Sequence, residues 1–167
     1  MKKAGNIMIN LRIATDKDKE LYRNLFNMYH NDLAPYCDDL TEVDEEGYYD
    51  KQAVDCYFNK DENIIPYVIM KNDKAVGVIV LTKPTYVKSG CDYCIQEFFV
   101  LNSFRGKNVA EEVCKQLTDK YTGKYCLIVL NKNTRAINFW RKFADKYTSK
   151  TSEGNLDEQS IIMEFSI

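Results

Sequence analysis

A chain of 167 residues with 45% hydrophobic content fits one globular domain over residues 1–167, large enough to bury a core. A formal charge of -2 and the lack of a basic block argue against a nucleic-acid partner, and no apolar run approaches the ~18 residues of a membrane-crossing helix. Met1 to Asn10 carries two lysines but only a short, broken apolar segment, so it is not read as a signal peptide and the expected location is cytoplasmic. In that setting the six cysteines are expected to be free thiols. Cys91-Asp-Tyr-Cys94 has no second Cys-x-x-Cys or Cys/His pair to complete a metal site and does not open a helix, while Cys114 and Cys126 fall at core-type positions.

In chain order, Ile9 to Ala14 reads as a first strand. Thr15 with Asp16 offers an N-cap for a helix through about His30, with Leu21, Leu25 and Met28 as its inner face. Gln52 to Phe58 reads as a second helical piece. Ile64 to Met70 and Ala75 to Leu81 flank Lys-Asn-Asp-Lys and predict a hairpin with Asn72 and Asp73 at the turn. After a loop with Pro84 and Gly90 come a long strand, Tyr93 to Val100, and a helix whose inner face is Val109, Val113, Leu117 and Tyr121. A strand from Tyr125 to Leu130, a helix carrying Ala136, Trp140 and Phe143 on one face, and strands near Tyr147 to Thr151 and Ser160 to Ile167 complete the order β, α, α, β, β, β, α, β, α, β, β.

The most informative stretch is Gln96 to Ala110, Gln-Glu-Phe-Phe-Val-Leu-Asn-Ser-Phe-Arg-Gly-Lys-Asn-Val-Ala. A strand ends at Val100, Arg105 and Gly106 turn the chain, and a helix begins. The first turn of such a helix has backbone NH groups without intrahelical partners, in the positive end of the helix dipole, so it seats a phosphate or pyrophosphate. Arg105 and Lys107 add full charges there. This loop, together with Asn133-Thr-Arg-Ala136-Ile-Asn-Phe139-Trp140 after the next strand, resembles the GNAT superfamily of acyl-CoA-dependent N-acyltransferases. Arg105, Gly106, Val109 and Ala110 match its pyrophosphate loop, with Asn108 in place of the usual middle glycine. Asn enters the left-handed region more readily than other side-chain-bearing residues. The resemblance is specific between Gln96 and Phe143 and topological elsewhere.

What the resemblance implies is an α/β fold whose mixed central sheet is splayed at the cofactor site and flanked by helices, with acetyl-CoA as donor. Backbone from Phe98, Phe99 and Val100 would hold the pantetheine arm on one side of the gap, with Leu130 to Asn133 on the other. Asn133 would steady the arm and Ala136 would let its helix sit close. Trp140 stands where the family usually has a tyrosine acid. An indole NH donates a hydrogen bond but does not titrate usefully.

Amide formation from a thioester needs a neutral amine, a proton acceptor and donors for the oxyanion. Gln96 and Glu97 are the polar residues of their strand, and alternation puts them on opposite faces, so one can enter the acceptor cleft. Glu97 is the expected base, its affinity for protons raised by desolvation; the alternative is a salt-bridging or acceptor-anchoring role without proton transfer. Backbone NH near Phe99 or Val100 would face the oxyanion. His30, the only histidine, is an alternative base, against a simple helix-capping role. Tyr147, Tyr93 or water would reprotonate the thiolate. Asn31 to Asp50 holds eight acidic residues and no Lys or Arg, and Asp38, Asp39, Asp44 and Glu45 with His30 are the expected acceptor wall, since acidic and aromatic groups attract amines. The expectation is direct acetyl transfer to a small cationic amine by a monomer or homodimer; the alternative is a non-catalytic acyl-CoA-binding or regulatory domain, motivated by Asn108 and Trp140.

Overall fold

The computed structural model describes residues 8–167, so the amino-terminal stretch before them lies outside the described residues. The chain runs through β1 (Ile9–Ile13), α1 (Lys19–Leu33), β2 (Ile64–Lys71), β3 (Lys74–Thr82), β4 (Tyr93–Val100), α2 (Val109–Lys120), β5 (Lys124–Leu130), α3 (Thr134–Tyr147), β6 (Lys150–Asn155) and β7 (Ser160–Ser166). The strands form one seven-stranded sheet in the order β1-β2-β3-β4-β5-β7-β6. Of its pairs only β4 with β5 is parallel, as a strand-helix-strand crossover requires.

Alternation along the central strands gives the sheet two apolar faces. Val78 and Val80 of β3 join Tyr22, Leu25 and Phe26 of α1 on one face. Ile79 and Leu81 meet Val113 and Leu117 of α2 and Trp140 and Phe143 of α3 on the other. Two elements tie the edges: Asn72 and Asp73 take φ of 47° and 65°, the left-handed pair a two-residue hairpin turn demands, and Thr15 begins a short 3-10 turn, Asp16–Asp18, that leads into α1. The Asp18 carboxylate accepts from both terminal nitrogens of Arg12 at 2.8 and 2.7 Å and from the Thr15 backbone NH at 2.8 Å.

The structure departs from the sequence reading in three elements. Helix α1 runs on to Leu33, and Met28 is 51% exposed rather than inward; the buried stripe is Tyr22, Leu25 and Phe26, and a residue two beyond Phe26 lies on the opposite side of a 3.6-residue helix. Gln52 to Phe58 is not an α-helix: the Asp50 carboxylate caps the NH groups of Gln52 and Ala53 at 2.9 and 3.0 Å, but only turns and a 3-10 helix at Asp55–Phe58 follow. A segment this short and rich in β-branched and aromatic side chains cannot offset helix nucleation. Tyr147 ends α3 instead of opening a strand, because its ring packs on Phe143 at 4.9 Å, one turn back.

Candidate active site

β4 and β5 pair at only two positions, Tyr93 with Tyr125 and Cys94 with Cys126. Beyond them the strands separate, for a reason visible in the ladder to β3: Leu81 pairs with Ile95 and Val80 with Glu97, leaving Gln96 as an extra, bulged residue. A bulge bends and twists its strand. The resulting V-shaped gap opens into a cavity of about 910 Å³ lined by Phe98, Phe99 and Val100 on one arm and Leu127 to Leu130 on the other. Arg105, Gly106, Asn108, Val109 and Ala110 close one end, and Asn133, Ala136 and Trp140 line the α3 side.

The loop before α2 places two residues in the left-handed region directly ahead of a helix start. Gly106 has φ 68° and Asn108 has φ 60°, ψ 9°, so Asn108 occupies the left-handed region its side chain tolerates. The unpartnered NH groups of the first α2 turn follow directly. Asn133 caps α3, its Oδ1 accepting from the Ala136 NH at 3.1 Å. Trp140 is buried and packs against Phe98 at 5.8 Å and Phe139 at 5.0 Å. A gap with free strand backbone, a helix-start anion seat and a small residue at Ala136 fits the pantetheine and pyrophosphate of an acyl-CoA.

Lys107 does not line the cavity: its Nζ donates to the Ser103 carbonyl at 2.8 Å and the side chain is exposed. Arg105 lines it but is engaged, its Nε donating to the Val100 carbonyl at 2.6 Å, its guanidinium pairing with Asp32 and lying 5.3 Å from the Phe99 ring centre.

Glu97 and Gln96 part company at the bulge. Against expectation it is the uncharged Gln96 that lines the large cavity, whereas Glu97 lines neither cavity and is turned to the α1 face, because the bulge shifts the alternation of β4. There Tyr57 donates to its Oε1 at 2.9 Å. Burial pushes the Glu97 carboxyl up to about 7; the hydrogen bonds from Tyr57 and Tyr29 only partly offset that effect. Burial and the neighbouring Glu97 charge push the hydroxyls of Tyr29 and Tyr57 upward, so both stay donors.

The remaining expected residues are not gathered at this point. The Tyr147 hydroxyl donates to Glu111 Oε1 at 2.5 Å at the far end of α3, and Tyr93 packs between Tyr121 and Tyr125; neither lines the cavity. His30 is half-buried beside Phe26, Tyr29 and Tyr49, with its pKa lowered by burial. Asp38, Asp39, Asp44 and Glu45 line neither this cavity nor its neighbour. Asp44 is used locally, accepting from the NH groups of Glu46 and Tyr48 at 2.9 Å each, and Asp38 faces Lys132 at 3.9 Å. The carboxylates that line the large cavity are Asp32 and Glu111, and Asp32 with Phe99 and Asn102 also lines an adjoining one of about 430 Å³ beside α1. Tyr29 and Tyr57 were not among the expected site residues, whereas Asp32 and Tyr36 belong to the acidic and aromatic run from Asn31 to Asp50 and Gln96 was the other polar residue of its strand. Extending the α1 periodicity past His30 would have placed Asp32 one turn after Tyr29.

A mixed sheet splayed at one parallel pair, with a glycine turn and a helix start at the mouth of the gap, is the acyl-CoA acetyltransferase architecture. The family model described as Acetyltransferase (GNAT) family matches residues 24–144, and the chain belongs to that family, whose acyl donor is acetyl-CoA. A search among curated protein sequences finds no match. Among solved structures, an acetyltransferase from Thermus thermophilus superposes with a TM-score of 0.73 at 12% identity, over 96% of this chain and 97% of its own. The PaiA N-acetyltransferase of Thermoplasma acidophilum, in complex with coenzyme A, gives 0.68 at 14% identity over 96% and 99%. A spermidine N-acetyltransferase chimera from Vibrio cholerae and hSSAT gives 0.62 at 15% over 95% of each chain. At these identities the likeness is one of fold. Among the described residues no helix is long and apolar enough to cross a membrane.

Proposed function

We propose that the chain is an N-acetyltransferase that passes the acetyl group of acetyl-CoA directly to the primary amine of a small cationic molecule, with Glu97 as the proton acceptor. The observation that carries this reading is the gap beyond the short β4–β5 pairing, with the helix start at its mouth and the buried Glu97 carboxyl, its proton affinity raised by burial, at the bulge beside it. A base near the operating pH takes a proton most effectively. Bound acetyl-CoA supplies the thioester. The NH groups from Gly106 to Ala110 bind the phosphates, and backbone of Phe98 to Val100 holds the pantetheine arm. The open NH groups near Phe99 and Val100 receive the oxyanion. Glu97, held by Tyr57 and standing behind Tyr29 of the cavity wall, accepts the amine proton through an intervening water. The thiolate takes its proton from solvent, since Trp140 has none to give.

The amine class rests on the aromatic faces of Tyr29 and Tyr36 beside Asp32 on the α1 side of the cavity, a local setting that favours a cation, although Asp32 is shared with Arg105 and the far side carries Arg135 and Lys142. The spermidine acetyltransferase among the structural neighbours acts on such a molecule. The test is CoA release from acetyl-CoA with a panel of polyamines, aminoglycosides, amino acids and peptides. Release with a polyamine or another small cationic amine is expected. Release only with peptides would overturn the acceptor class. Binding of acetyl-CoA by calorimetry without release for any amine would establish the non-catalytic acyl-CoA-binding alternative instead.

A further inference from the structure

Three cysteines that the sequence separates meet in the fold. Cys91 and Cys94 of the Cys-x-x-Cys motif and Cys126 of β5 form one buried cluster, with Val87 and Ile162 packed against it. Cys94 and Cys126 are register partners on the last rung of the parallel pair. Adjacent strands lie about 4.8 Å apart, which falls inside the ~4.4 to 6.8 Å Cα separation a disulfide spans. Charged groups border this buried cluster on one side. Cys126 faces Cys94 across the rung and shares the buried cluster with Cys91. Its neighbour on β7, Glu164, holds the ammonium groups of Lys88 and Lys124 beside it.

The neighbouring Cys94 thiol, the Lys88 backbone and Cys91 lower the Cys126 thiol against burial and the Glu164 charge, while burial and the Cys126 charge raise Cys91. Cys114, buried without such donors, is pushed up by desolvation. No group of His, Cys, Asp and Glu among the described residues is arranged to hold a metal ion.

We propose that Cys126 and Cys94 form a reversible dithiol–disulfide site oxidised by a hydroperoxide. The Cys126 thiolate attacks a peroxide oxygen, the O–O bond breaks, and the departing alkoxide or hydroxide takes a proton to leave as alcohol or water. The sulfenic acid so formed is attacked by Cys94; the S–S bond forms, and the hydroxyl leaves as water with the Cys94 proton. Two thiols are oxidised and one peroxide is reduced. The bond closes at the apex of the V. Cys94 Sγ also lies 3.8 Å from Oε1 of Gln96, which lines the acyl-CoA cavity, so the site adjoins the gap without belonging to it.

The test uses the whole chain with the more accessible Cys37 and Cys56 replaced by serine, treated with hydrogen peroxide under native conditions. Two thiols per chain are expected to disappear and to return with dithiothreitol. Tryptic mapping should join the peptide 89–105 to 125–132, and cleavage before Asp92 should leave the link on Cys94. In a chain carrying Cys94→Ser, Cys126 should instead be trapped as a sulfenic acid by dimedone. Unchanged thiol content in the native chain, or a Cys91 to Cys94 link, overturns the proposal. Neither result depends on the core substitution, so a Cys94→Ser chain that fails to fold leaves the test intact.

Discussion

Replacing Glu97 by Gln separates the chemistry of its carboxyl from its shape. The ordinary value of 4.5 rises to about 7 in the folded chain because burial penalises the charged form. Below about 4.5 the carboxyl is neutral in both states and imposes no cost. Between 4.5 and about 7 the folded state binds a proton that the unfolded state has released, so stability falls as pH rises through this window and is lowest above it. At ~1.4 kcal/mol per pH unit the interval amounts to about 3 kcal/mol. The neutral amide of the variant would carry no such penalty while its carbonyl still accepts from Tyr57. Glu97→Gln is therefore expected to match the parent near pH 4 and to exceed it by about 3 kcal/mol at pH 8, on the order of 6–12 °C in Tm for a chain of this length. Thermal and urea melts at half-unit pH steps measure the difference. A flat difference between pH 4 and 8, or a destabilised variant at pH 8, would refute the assignment of the shift to desolvation.

The same variant tests the base. With a saturating amine, Glu97→Gln should lower kcat strongly and remove the ionisation near pH 7 from the rate profile, with acetyl-CoA affinity nearly unchanged. A more stable and less active enzyme is the signature expected where a site holds a charge against its solvation. Full turnover across the neutral range would move the proton to bulk water. Arg105→Gln should cost ~1–3 kcal/mol by breaking the contacts to Asp32 and the Val100 carbonyl, while weakening acetyl-CoA by less than about tenfold (~1.4 kcal/mol); calorimetry showing a far larger loss of affinity at unchanged Tm would restore Arg105 to the phosphate seat. Asn108→Ala should lose ~1–2 kcal/mol from the left-handed backbone at φ 60°, and Asn108→Gly should not; equal melting temperatures for the two would contradict that strain. Gly77→Ala should cost ~1–3 kcal/mol or more, because a Cβ there would stand 2.2 Å from the Phe99 carbonyl oxygen, and should also weaken acetyl-CoA by displacing β4; a melt like the parent's would refute it. Trp140→Phe should lower Tm and cofactor affinity through lost packing on Phe98 and Phe139 but leave the pH-rate profile unshifted, since indole does not titrate.

Much of the fold is legible because it is written at short range. The Asn72–Asp73 turn, the strand into the Arg105 loop and the inner faces of α2 and α3 follow from residues at most four apart. The bulge at Gln96 is not legible in that way: no turn or glycine marks it, and it exists only as a mismatch between β4 and β3. The same limit governs the charges. The sequence displays Arg105 as a free cation and Asp38 to Glu45 as an acidic wall. In the fold Arg105 is claimed by Asp32, 73 residues away, and Asp44 by its own turn.

Two carboxylates make the physical point. Asp18 and Glu97 are both withdrawn from bulk water and both hydrogen-bonded, yet their proton affinities move in opposite directions. Asp18 faces the Arg12 guanidinium and two groups of Thr15, so its charged form is favoured and its pKa falls. Glu97 faces two tyrosine hydroxyls and no cation among the described residues, donors too weak to offset desolvation, and its pKa rises. A guanidinium in place of Tyr57 would turn Glu97 into a second Asp18, permanently charged and useless as a base near pH 7. The identity of the partner 40 residues upstream, more than the glutamate itself, is what leaves this carboxyl able to take a proton.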